Sequence, residues 1–252
     1  MITNLKIIDQ ATSSSDLAKD AVLKNKRKYG AFFVKQQTKG RGRNSKDWFS
    51  PKGNLHLSIV VYPKTSLSNW NEFSIISALA TRRSLMCFSG KFKNELKFKW
   101  PNDIIILNQK IGGILIETIP FKNSLIIGIG LNLLNSPPKL KQSWPVENLK
   151  NLYNIEVNPV ELSNLIIKNL NLLIVEWENG LFTNIFEEWK KNLCYIGEYL
   201  YSMDFEKNFS GYFHNVGIKG QMVLKTDSNE FIEFFSGTFV PRFMLDKYAL
   251  GN

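Results

Sequence analysis

Three clusters along this chain hold side chains able to do chemistry on an anion. The first is KGRGRNSKDW, residues 39–48. Gly40 and Gly42 let the backbone turn sharply and come close to a ligand. Arg41 and Arg43 carry planar guanidinium forks that match phosphate or carboxylate. Such a loop can close over an anion and supply fixed positive charge where negative charge develops. The same residues also suit a solvated basic turn, or an arginine–glycine arm on nucleic acid. The strand-like run GNLHLSIVVY follows closely and brackets the loop, which suits a folded site better than a disordered arm. Trp48 either packs under the loop or stacks on a base.

The second cluster is KWPNDIII, residues 99–106. Lys99 ends one strand, and Pro101 forces its predecessor out of helical conformation. Asn102 and Asp103 then project from the turn. This is ordinary turn chemistry, or it is a carboxylate able to hold Mg²⁺ or orient an amine. Lys110 follows, directly before IGGILIE, whose paired glycines suggest a close approach of backbone to ligand. The third cluster is IGIGLN, residues 127–132. It fails the dinucleotide fingerprint, because Leu133 stands where a third glycine is required. It reads instead as a strand ending in Asn132. No P-loop is present, so a nucleotide would have to bind in another way.

Composition narrows the chemistry. Of 252 residues, 32 are basic and 22 acidic, a net charge of +10 that suits anionic partners. Cys87 and Cys194 are far apart, which excludes a disulfide framework and indicates a reducing compartment. His56 and His214 are isolated. His56 falls in the run NLHLSIVVY and reads as a structural strand residue. A Cys/His zinc site is therefore disfavoured, and a Ser-His-Asp triad would have to recruit one of two histidines. No signal peptide is evident, and the longest apolar run is too short to cross a bilayer. The expectation is a cytoplasmic protein with no membrane association.

The elements that position these clusters can be read in turn. LKIIDQ is a strand. SSSDLAKDAVLKNKRK is a helix with a serine cap cluster. AFFVKQQ and GNLHLSIVVYP are strands on either side of the basic loop. NWNEFSIISALATRRSLMCF has helical period. ELKFKW, IIIL, IGGILIETI and SLIIGIGLNLL are strands, the last three forming an antiparallel meander, with NQK as a tight turn. Residues 136–190 are mostly helical; NPVELSNLIIKNLNLLIVEWENG is the clearest helix, with Gly180 as its stop. From Tyr195 short strands alternate with Gly, Asn and Asp turns. The chain thus divides into residues 1–193 and a small all-β module, residues 194–252.

The motifs GRGR…W.SP.GN, KWPND…K.GG.L.E and GIG.N, in this order and spacing, resemble the bacterial biotin protein ligases. The resemblance is strongest from about Ile8 to Leu134. It implies an α+β fold: a mixed, largely antiparallel sheet with helices, like a class II synthetase, and a C-terminal SH3-like β-barrel. It implies activation of biotin by ATP to biotinoyl-5′-AMP, then transfer to one lysine of the biotin carboxyl carrier protein of acetyl-CoA carboxylase. Gln37, Gly40, Arg41, Gly42 and Arg43 match the family's biotin- and adenylate-binding loop. Lys110 matches the lysine at the biotin carboxylate and phosphate. Asn102 and Asp103 match the polar pair near the ATP phosphates and Mg²⁺. Lys46, Trp48, Lys99 and Asn132 fall in the same ATP region. Arg41, Lys110 and Asp103 would carry the chemistry, and Ile114 and Leu115 would line the biotin ring pocket or serve as core.

Two departures stand out. The family's Ser-Thr-Asn before the first helix appears here as Ser13, Ser14, Ser15, without the Asn. Ser45 and Lys46 stand where Gly-Arg is common, and Lys46 keeps charge but loses the bidentate fork. Family members that repress transcription carry an N-terminal helix-turn-helix; none precedes the catalytic motifs here, so no DNA binding is expected. A homodimer through the meander edge is compatible with the resemblance. The competing readings are a lipoate ligase, a basic nucleic-acid-binding module, and a homologue that binds biotin without turnover.

Overall fold

The structure is a computed structural model that describes residues 2, 4–25, 30–64, 69–138, 144–203 and 208–245. Its central feature is a seven-stranded sheet. The strands are β1 (Leu5–Ala11), β2 (Ala31–Gln37), β3 (Leu55–Val61), β4 (Leu96–Lys99), β5 (Asp103–Ile106), β6 (Gln109–Ile119) and β7 (Ser124–Leu131). They lie in the order β1-β2-β3-β7-β6-β5-β4. Only β1 and β2 run parallel, and every other pairing is antiparallel. A parallel pair needs a crossover, and α1 (Ser14–Leu23) supplies it.

Both faces of the sheet are covered, which is why all seven residues of β3 are buried. α1 packs on one face, where Ala18, Ala21 and Val22 meet Phe32, Val60 and Ile126. The long helices α2 (Glu72–Leu85) and α5 (Pro159–Glu178) pack on each other over the opposite face. The short α3 (Phe92–Glu95) and α4 (Leu149–Tyr153) and the amphipathic α6 (Phe182–Lys190) complete that layer. Asn158 caps α5 through the amides of Val160 and Glu161, and Pro159 occupies the first helical position.

β8 (Tyr199–Ser202), β9 (Ser210–Val216), β10 (Met222–Lys225), β11 (Phe231–Phe234) and β12 (Phe239–Pro241) form a second sheet, ordered β11-β10-β9-β8-β12. The α+β fold with a small C-terminal sheet matches the expectation. The core is continuous between the two sheets: Leu200, Phe213, Met222 and Phe239 belong to the same buried cluster as Ile75 and Trp100. Trp100 Nε1 also donates to the Gly220 carbonyl at 2.9 Å.

Three local readings change. The tight turn is Leu107–Asn108, whose φ values of 49° and 60° suit a two-residue hairpin turn. Gln109 and Lys110 therefore already lie on β6. α1 ends at Leu23, and residues 26–28 of the expected helix lie outside the described residues. The meander β5–β7 does not lie at the edge of the sheet, being flanked by β3 and β4, and on β4 the Phe98 amide donates to the Asn192 carbonyl while its carbonyl accepts from the Cys194 amide. Both cysteines are free. Among the described residues, no helix is long and apolar enough to cross a membrane.

Candidate active site

A cavity of about 360 Å³ opens on the α1 face of the sheet. The sheet itself makes room for it. Gly128 and Gly130 are two apart on β7, so both point to the same face. Gly130 pairs with His56 of β3 on one side and with Gly113 of β6 on the other; Gly128 pairs with Ser58 and Leu115. Trp48 fills the space above Gly130: a Cβ there would lie 2.5 Å from the indole ring. The glycines of IGIGLN thus carve a site out of a strand surface.

One end of the cavity is neutral and polar. Ser13 caps α1 by accepting from the Asp16 amide at 3.0 Å, an arrangement that stabilises a helix by about 1 kcal/mol. Ser14 and Ser15 lie within the first turn of α1 and not before it. Their hydroxyls meet Ser58 Oγ at 2.8 and 3.1 Å. Gln37 Oε1 accepts from the Ser14 amide at 2.7 Å, and its Nε2 donates to Ser50 Oγ at 2.8 Å. Ser15 therefore remains at the site, against the cavity, despite the lost Asn.

The other end is cationic. Arg43, Lys46, Lys99 and Lys110 line it with two carboxylates, Asp47 and Asp103, whereas Arg41, also a lining residue, is paired with Asp16 beside the serines. Lys110 Nζ lies 2.6 Å from Asp103 Oδ1 and 5.5 Å from the Trp48 ring centroid. Lys99 Nζ stands 4.8 Å over Trp144. A register shift between Ile104 and Ile105 helps set Lys110 beside Asp103. Asn102 anchors its turn by donating from Nδ2 to the Ile114 carbonyl and accepting from the Ile114 amide.

The basic loop spans the mouth and is tethered on both sides. Arg41 Nη2 sits 2.7 Å from Asp16 Oδ1 and 3.8 Å from Glu117 Oε1. The guanidinium holds the Asp16 carboxyl below the usual carboxylate range. Arg43 Nη1 donates to Asn102 Oδ1 at 3.1 Å. Within the loop, the backbones of Arg41 and Asp47 form an isolated antiparallel bridge, and Asn44 takes φ 52° to close the turn. Gly40 does not line the cavity. It is packed beneath the loop, where a Cβ would fall 2.3 Å from Ser50 Oγ and 2.6 Å from the Trp48 carbonyl. Its role is close packing, whereas Gly42 reaches the cavity wall.

The remaining expected residues, Asn102, Asn132, Ile114 and Leu115, also line the cavity. Asn132 uses its side chain to hold Glu147 at 3.2 Å, so it positions the segment carrying Trp144 and Val146 against Lys110. Sequence reasoning missed Trp144, which lies in WPVEN, a stretch that reads only as a loop signal, and Thr238, which comes from the C-terminal module. It also assigned His56 to structure alone. His56 is 1% exposed, yet it lines the cavity. His214 lies on β9 and is not a lining residue.

Burial pushes the His56 imidazole down from 6.5 to about 4. The folded state therefore binds fewer protons than the unfolded state between these values. Stability is fully present above about pH 6.5 and falls as pH drops towards 4. The expected loss is about 3 kcal/mol over that window, read as the difference in denaturant midpoints between wild type and His56→Leu at pH 7 and pH 4.5. Parallel pH dependence in the two proteins would contradict it.

Residues 7–133 match the model of the biotin/lipoate A/B protein ligase family. The chain belongs to that family. This ligase-family chain is 25% identical over 198 residues to a biotin–[acetyl-CoA-carboxylase] ligase of Paracoccus denitrificans, covering 76% of this chain and 82% of that protein. It is 35% identical over 106 residues to the bifunctional ligase/repressor BirA of Bacillus subtilis, covering 40% of this chain and 32% of that one. Its fold is similar to that of an Aquifex aeolicus biotin protein ligase solved with biotin and ATP, with a TM-score of 0.80 at 24% identity over 95% of this chain and 99% of that chain.

Proposed function

We propose that this chain activates biotin with ATP and transfers it to one lysine of the biotin carboxyl carrier protein of acetyl-CoA carboxylase. The observation that carries this reading is the polarity of the cavity. A neutral end of serines and Gln37 suits a cyclic urea, and a cationic end around Lys110 suits a carboxylate meeting a triphosphate. The name of the Paracoccus denitrificans relative supports the acceptor.

The chemistry needs no nucleophile from the protein. A biotin carboxylate oxygen attacks the α-phosphorus of ATP; the bond to pyrophosphate breaks, leaving biotinoyl-5′-AMP. Lys110, Arg41, Arg43 and Lys46 bring two anions together and offset the developing charge. Lys99, Trp48, Asn102 and Asn132 shape the nucleotide end. In the second step the carrier amine, after losing a proton, attacks the acyl carbon and AMP leaves. Asp103 is the carboxylate placed to orient that amine or take its proton.

Mg²⁺ takes one or two carboxylates and otherwise phosphate oxygens and water. Among the described residues no cluster of three His, Cys, Asp or Glu could hold an ion. A site with Asp103 as its carboxylate, completed by substrate phosphates, fits this donor set; bound there, the ion would screen phosphate charge. The chain divides functionally into a catalytic region, 1–193, and the C-terminal β module, 194–252.

Arg41→Ala should free the loop from Asp16 and Glu117. The adenylate would then escape before transfer, raising biotin labelling of bystander proteins by about fivefold, the shift expected when one half-exposed ion pair is lost. Labelling that stays confined to the carrier would remove Arg41 from the closure. The substrate itself is tested by competition. ATP-dependent pyrophosphate release should need biotin and be unaffected by excess lipoate; release driven by lipoate would assign the other branch of the family.

A further inference from the structure

At its cationic end the cavity wall includes Trp144 and Val146. Lys99 Nζ stands over the Trp144 ring, and Lys110 is bridged to Val146. The Lys110 amide donates to the Pro145 carbonyl, and its carbonyl accepts from the Glu147 amide. Residues 144–147 therefore fix the backbone of the lysine at the reacting anions. Glu147 does not line the cavity. Its Oε1 instead accepts from Ser136 Oγ at 3.1 Å, from the Asn148 amide at 2.9 Å and from Nδ2 of Asn148 and Asn151, each at 3.0 Å.

These donors tie together two segments. One is the chain leaving β7. Asn54, 1% exposed, accepts at Oδ1 from the amides of Leu133, Leu134 and Asn135 and donates from Nδ2 to the Asn135 carbonyl. Residues 133–135 are thus fixed to the start of β3, and Ser136 follows directly. The other segment is 144–151, which carries the wall and α4. Its backbone meets the first where the Leu149 amide donates to the Asn132 carbonyl and the Lys150 amide to the Leu133 carbonyl. Capping of α4 does not account for the carboxylate, because Asn148 Oδ1 already caps that helix through the Asn151 amide. Hydrogen bonds to a carboxylate are stronger than neutral ones, and a reacting group misplaced by about 1 Å can cost about 10²-fold in rate.

We infer that Glu147 is a positioning residue. Through Oε1 it sets the Trp144–Val146 wall and the Lys110 backbone at the nucleotide end, without touching substrate itself. This rests on the ligase reading above. The serine end is held separately, by Gln37 of β2, Ser58 of β3 and the first turn of α1, so the two ends should respond differently to the loss of Glu147.

The test is calorimetric titration of biotin and of α,β-methylene-ATP, which cannot be cleaved at the reacting bond, into wild type, Glu147→Ala and Glu147→Gln. Glu147→Ala should bind the nucleotide about tenfold more weakly, the loss expected when hydrogen bonds to a charged group are removed. Its biotin affinity should stay within about twofold of wild type, as for a site without shared partners. Glu147→Gln keeps an oxygen at the same place and should restore nucleotide affinity to within about threefold, losing only the charge assistance. If the alanine variant does not fold, Ser136→Ala, which removes one donor, should weaken the nucleotide and spare biotin in the same way. Unchanged nucleotide affinity in Glu147→Ala would overturn the inference. So would an equal loss for both ligands, which marks a merely structural role, or a glutamine variant no better than alanine. Wild type that binds neither ligand would overturn the functional reading itself.

Discussion

Lys110→Ala is expected to slow biotin-dependent pyrophosphate release by about 10²–10³-fold, the loss typical when a fixed charge at a developing anion is removed. The lysine is held for this purpose. Its ammonium sits 2.6 Å from Asp103 Oδ1 and faces the cavity from β6. Its backbone is pinned as well: its amide donates to Pro145 and its carbonyl accepts from Glu147. Little of the fold depends on the ammonium, because the pair is partly solvated. Single-turnover measurement separates the two effects, since the melting temperature should stay close to that of wild type while the adenylation rate collapses. Near-normal turnover would remove Lys110 from the reaction.

A chain ending at Leu193 is expected to lose both stability and activity. The C-terminal module is not an appendage. Trp100 loses Phe239, 6.0 Å away between ring centroids, and Trp144 loses Tyr195 at 5.8 Å. Ile105 and Trp144 form a buried cluster with Val240 and Met244. Uncovering several large apolar side chains removes about 1.5–3 kcal/mol for each, so the melting temperature should fall by roughly 10 °C or more. Thr238 would also leave the cavity wall. Calorimetric scanning of the truncated chain, paired with pyrophosphate release, reads both effects. A truncated chain with full activity would show the module to be dispensable.

The sheet was legible because its strands alternate or run apolar over lengths typical of strands. The basic loop was legible because two arginines and two glycines in alternation have few uses in a folded protein. Trp144 was hidden because its segment, 144–148, carries no period: it is held by Lys110 and Asn132, both distant in sequence. His56 was hidden because one polar residue in an apolar strand is more often a satisfied core residue. Only the fold shows that it lines the cavity and pairs across strands with Gly130. The spacing of Gly128 and Gly130 was a usable signal, since two glycines at period two clear one face of a strand. Gly40 misled in the opposite sense: its neighbours reach the ligand site, while its own missing side chain serves Ser50 and Trp48.

The most direct test of the central claim is the mass of a biotin carboxyl carrier domain after incubation with this chain, ATP, Mg²⁺ and biotin. The account predicts a gain of one biotinyl group on a single lysine, absent without ATP and absent with the Lys110→Ala variant. A carrier that stays unmodified while the chain still binds biotin would contradict it.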